Sequence, residues 1–119
     1  MTPVLPPLVQ RTLARFVRAF APERILLFGS YAKGATHTGS DVDLLIIADL
    51  PGNSSVHLRR AHQLAYDCFP RVDIVFATPR EVAAADSAKS PFLSSILGTG
   101  IEVYRRADDL SPLPASQSV

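Results

Sequence analysis

Residues Arg24 to Phe28 (Arg-Ile-Leu-Leu-Phe) form a short apolar run that stops at Gly29-Ser30, the pattern of a strand buried on both faces. A strand of that kind has to be covered on both faces of its sheet, which narrows the fold class more than any other segment does. Val42 to Ala48 supplies a second strand, with Asp41 and Asp43 at its entrance. Arg71 to Ala77, β-branched and aromatic and entered through Pro70, is a third, and Ile101 to Tyr104 a candidate fourth. Helical patterns interleave with these runs. Val9, Leu13, Phe16, Val17 and Phe20 recur at three- and four-residue intervals, while Arg11, Arg15 and Arg18 fall opposite them and read as a solvated face. Ser55 to Phe69 reads as a second helix with Leu58, Ala61, Leu64, Ala65 and Cys68 inward. Thr78-Pro79-Arg80-Glu81 combines an N-cap, a proline at the first helical position and a glutamate three residues beyond the cap, so a helix starts there. It is interrupted near Pro91, where Ser90 caps a further turn or two carrying Phe92, Leu93, Ile96 and Leu97 before Gly98 and Gly100. The order predicts an α/β domain whose sheet is covered by helices.

A chain of 119 residues leaves little room for a second domain. The expected domain spans 1–105, and periodicity vanishes over 106–119, which reads as a flexible tail. Twelve Lys and Arg against eleven Asp and Glu give a formal charge of +1, so no net field draws the chain to nucleic acid or an acidic membrane. A single cysteine excludes an intramolecular disulfide and a multi-cysteine zinc site, and suits a reducing cytoplasm. The longest apolar runs fall far short of a membrane span, and the N-terminus lacks a charged region followed by an apolar one.

Chemistry is suggested by three aspartates. Side chains two apart on a strand share a face, so Asp41 and Asp43 project together from the mouth of the second strand. Two carboxylates about 5 Å apart repel by roughly 3 kcal/mol at an effective dielectric near 20, which calls for a positive charge between them. Asp73 interrupts the third strand and alternates away from Val72, Ile74 and Phe76, so three acids converge if the two strands are neighbours. Oxygen-only ligands on a rigid sheet suit a hard cation such as Mg²⁺, and two such ions can clamp the attacking and leaving oxygens of a phosphoryl displacement. Gly29 permits close approach of a ligand to the backbone, and Ser30 offers a hydroxyl where unpaired N–H groups favour phosphate. Lys33 adds a mobile positive charge. His37 reads as a solvent-facing loop residue, and His57 and His62, five apart on a helix, make a poor metal pair.

The run Leu27-Phe28-Gly29-Ser30-Tyr31-Ala32-Lys33-Gly34, followed by Gly39-Ser40-Asp41-Val42-Asp43-Leu44-Leu45-Ile46, resembles the signature of the nucleotidyltransferase superfamily that includes DNA polymerase beta. In that signature about ten residues separate Gly-Ser from Asp-x-Asp, and here Tyr31 to Ser40 do so. More narrowly, the chain resembles the minimal nucleotidyltransferases, small bacterial proteins often encoded beside a HEPN-domain protein, over about residues 10 to 104. The resemblance implies a polymerase beta-like fold with a small mixed β-sheet flanked by helices. It implies that Asp41 and Asp43 are the metal-binding pair and that Asp73 is the third acid, which helps to bind metal and activates the acceptor hydroxyl. It also implies that Gly29 and Ser30 hold the triphosphate. Lys33 stands where minimal members often carry arginine, keeping the charge without the bidentate fork.

By the same resemblance the reaction is Mg²⁺-dependent transfer of a nucleoside monophosphate, AMP from ATP, to a hydroxyl with release of pyrophosphate. The leading acceptor is a tyrosine of a partner HEPN ribonuclease toxin, which makes this chain the antitoxin, held in a hetero-oligomer. Three alternatives stay open: a non-catalytic module that masks its partner, transfer to a small molecule such as an aminoglycoside, and addition of nucleotides to RNA, the last disfavoured by the near-neutral charge.

Overall fold

In the computed structural model of the chain, residues 5–29, 31–32, 41–85 and 90–107 are described. The expectations for Ser30, for Lys33 and the loop with His37, and for most of the 106–119 tail lie outside them.

Helix α1 (Pro7–Phe20) leads into β1 (Arg24–Phe28), and β2 (Val42–Ile47), α2 (Ser54–Leu64) and β3 (Val72–Ala77) follow. Two shorter helices, α3 (Pro79–Ala83) and α4 (Pro91–Thr99), precede β4 (Ile101–Arg105). The four strands form one sheet in the order β3-β2-β1-β4. β1 runs antiparallel to both β2 and β4, whereas β2 and β3 are parallel, so the sheet is mixed. The helix α2 is the crossover that a parallel pair requires.

Both faces of the sheet are covered, which explains why β1 and β2 are nearly continuous apolar runs. Ile25, Leu27, Val42, Leu44, Ile46, Val72 and Ile74 pack under Val9, Phe16 and Phe20 of α1 and Ala61 of α2. Alternation sends Leu26, Leu45, Ile47 and Ala77 to the opposite face, against Ile96 of α4, with Val82, Leu93 and Leu97 beside them. At the start of α3 the Thr78 hydroxyl accepts from the Glu81 N–H while the Glu81 carboxylate accepts from the Thr78 N–H, closing the expected capping box.

Three local readings are corrected, those of the second helix, of Arg15 and of Phe92. The second helix ends at Leu64 instead of Phe69. Ala65 and Cys68 still pack against the core, which prolongs the apolar period, but the chain turns there to enter β3 through Pro70, whose ring disfavours helix at Phe69. Arg15 is not merely solvated, because its guanidinium donates to both oxygens of Asp67 and to the Leu64 carbonyl, tying α1 to the end of α2. Thr12 lies buried on α1 by donating its hydroxyl to Leu8 O at 2.9 Å. Phe92, grouped by sequence with the core residues of α4, is 54% exposed. Among the described residues no helix is long and apolar enough to cross a membrane.

Candidate active site

Asp43 and Asp73 are register partners across the parallel strands β2 and β3. Neighbouring strands lie about 4.8 Å apart, and partners in register project to the same face, so the two carboxylates stand side by side. Asp41 lies two residues before Asp43, ahead of the first residue of β2 and on the same face by alternation. All three are half-buried at the end of the sheet where β2 and β3 begin and β1 ends. The strand order thus satisfies the condition on which convergence of the acids depended.

On the other side of Asp43 is β1. Phe28 is the antiparallel partner of Asp43, and the next residue is Gly29, in the left-handed region at φ +76°. A Cβ at Gly29 would overlap Asp43 Oδ2. Glycine is required there twice over, for its backbone conformation and for the room that it leaves the carboxylate. Tyr31 and Ala32 form a turn just beyond and pack against the core.

The electrostatics follow from this crowding. Burial holds the Asp43 carboxyl above the ordinary carboxylate range, and the like charges of Asp73 and Asp41 push it further in the same direction. A cation placed among the three would reverse that penalty. The donor set is all oxygen and anionic, which suits a hard divalent ion, and the missing side chain at Gly29 leaves room for the Asp43 carboxylate, so these residues fit Mg²⁺. Among the described residues, however, no group of three or more His, Cys, Asp or Glu side chains is drawn together as a ready metal site. The backbone brings Asp41, Asp43 and Asp73 to one face, and mutual repulsion opposes any tighter gathering by the protein alone.

The cleft of about 530 Å³ along α1 and β4, lined by Leu13, Ala14, Val17, Arg18, Val103 and Tyr104, is elsewhere and carries none of these acids. One feature beside the acids was not anticipated: the Phe28 ring meets the Phe92 ring edge to face, with centroids 6.0 Å apart. Residues 28 and 92 are far apart in sequence and both read as ordinary core, so no local pattern announced the pair.

Residues 9–96 match the family described as "Nucleotidyltransferase domain", and the chain belongs to that family. No curated protein sequence is significantly similar to it. Among solved structures, one described as a "toxin-antitoxin with AMP-PNP" is similar in fold, with a TM-score of 0.58. The two share 22% sequence identity, over 84% of this chain and 76% of the other. The mixed four-stranded sheet with helices on both faces is accordingly a nucleotidyltransferase fold.

Proposed function

We propose that the protein transfers a nucleoside monophosphate, AMP from ATP, to a hydroxyl group and releases pyrophosphate. The observation that carries this reading is the pairing of Asp43 with Asp73 across β2 and β3, with Gly29 set against the Asp43 carboxylate. Asp41, Asp43 and Asp73 are the residues that would hold Mg²⁺, with two ions as the expected number. Bound there, the metal would supply neutralisation of phosphate charge and alignment of the attacking and leaving oxygens.

The remaining work falls to the chain. Gly29 and Ser30 receive the triphosphate at backbone and hydroxyl donors, and Lys33 balances phosphate charge; Ser30 and Lys33 enter this reading from their places in the sequence motif. The acceptor oxygen attacks the α-phosphorus, a new P–O bond forms, and the bond to the β-phosphate oxygen breaks as pyrophosphate leaves. Asp73 takes the proton of the acceptor hydroxyl. The contribution of the protein is chiefly positioning and charge, as is general for phosphoryl-type transfer.

The acceptor in this reading is a tyrosine of a partner HEPN-family toxin in the cytoplasm, and the chain acts as its antitoxin within a hetero-oligomer. The motif resemblance and the fold shared with a toxin–antitoxin structure support it. Mass spectrometry of the partner, co-expressed with the parent chain or with Asp43→Asn, tests the assignment. The parent yields a nucleotide adduct on a tyrosine and relieves toxicity, and the variant does neither. A variant that still neutralises an unmodified partner would show masking instead of catalysis.

A further inference from the structure

We infer that the aromatic pair Phe28 and Phe92 is a stacking platform for the base of the nucleotide, with Phe92 as the contacting ring. The inference rests on the reading of Asp41, Asp43 and Asp73 as the phosphate end of the site, and adds where the rest of the nucleotide lies.

Four large hydrophobic side chains are exposed among the described residues: Val56, Tyr66, Phe69 and Phe92. Scattered exposed apolar residues are ordinary, but Phe92 differs from the other three in what it touches. Its ring stands against Phe28 at an interplanar angle of 88°, and Phe28 is the strand partner of Asp43. An aromatic surface therefore begins one side chain away from the central acid, on the same face of the sheet.

The helix holds this ring outward while anchoring itself elsewhere. Leu93, Ile96 and Leu97 of α4 pack into the core cluster beneath the sheet, and Pro91 fixes the first turn. Phe92 is one position off that buried stripe. Its contact with Phe28 restrains the ring, and an edge-to-face arrangement leaves at least one face of Phe92 open, in keeping with its 54% exposure.

A nucleotide whose α-phosphate lies at the acids carries its base one ribose away, the separation that a neighbouring aromatic platform serves. Two phenyl rings offer no hydrogen-bond readout, so this contact accepts any base and favours purines through stacking strength. The ligand class is a nucleoside triphosphate bound by stacking, with base identity left unread by these two residues.

Calorimetric titration with α,β-methylene-ATP and Mg²⁺, alongside inorganic tripolyphosphate as a probe without a base, tests the inference. Phe92→Ala should weaken the nucleotide analogue by about 5- to 150-fold, the range expected for one base–aromatic stack. The same variant should leave tripolyphosphate binding unchanged, and Phe92→Trp should restore the analogue. Equal weakening of both probes, or no weakening of the analogue, overturns the platform. Unchanged analogue binding with slower transfer would place Phe92 against the acceptor and also overturn it. Asp43→Asn reports on the underlying reading: it should weaken both probes, and if it does not while Phe92→Ala still acts, the acids are misassigned and the platform stands. A parent chain that binds neither probe overturns both.

Discussion

Gly29 lies so close to Asp43 that any Cβ at the glycine would overlap the carboxylate oxygen Oδ2. The same glycine sits at φ +76°, where L side chains are strained. Backbone shape and carboxylate placement are therefore set by one residue at the junction of β1 and the site.

Gly29→Ala should thus be costly in two ways. The positive φ alone should cost about 1–2 kcal/mol of stability, measurable by urea unfolding. The carboxylate can swing away to relieve the overlap, so the larger effect should fall on nucleotide transfer, with activity reduced well beyond what lost folding explains. Full activity in a folded Gly29→Ala protein would contradict the placement of Asp43 against this residue.

Asp43 should also shape the pH dependence of stability. Its carboxyl is raised above the ordinary value by burial first and by Asp73 and Asp41 second. In the pH window between the unfolded value and the raised folded one, the folded state binds more protons, so stability contributed by this group falls as pH rises. Below both values the group contributes nothing. Asp43→Asn should therefore be more stable than the parent near neutral pH, with the advantage fading once the parent carboxyl is protonated in both states. Thermal melts from pH 3 to pH 8 check the sign, and a variant less stable at neutral pH would contradict it.

A divalent ion should relieve the same repulsion. Anything that binds only the folded state stabilises it by mass action, about 2.7 kcal/mol at a hundredfold excess over Kd. Saturating Mg²⁺ should raise the melting temperature by several degrees, EDTA should reverse the rise, and Asp73→Asn should blunt it. An equal rise in parent and variant would separate Asp73 from the metal.

Much of this arrangement was legible because β1 and β2 carry it locally. Arg24–Phe28 ends as a strand where its apolar run ends, and Thr78 with Glu81 caps α3 as their spacing requires. Alternation along β3 already set Asp73 apart from Val72 and Ile74. What alternation cannot convey is which strand lies beside which: that Asp73 partners Asp43 depends on β3 joining β2 at the sheet edge, a tertiary choice. The Arg15–Asp67 pair is another such case, since residues 52 apart leave no local trace of their meeting. The end of α2 was misread for a different reason, because Cys68 keeps the apolar period going after helical hydrogen bonding has stopped.

The most direct test of the three-aspartate site follows label from ATP, carried on either the α- or the γ-phosphate, into the co-expressed partner in the presence of Mg²⁺. The account predicts that only α-label enters the partner, that γ-label leaves with pyrophosphate, and that Asp41→Asn, Asp43→Asn and Asp73→Asn each abolish incorporation while remaining folded. Incorporation of γ-label, or undiminished α-label transfer by folded Asp43→Asn and Asp73→Asn proteins, would contradict it.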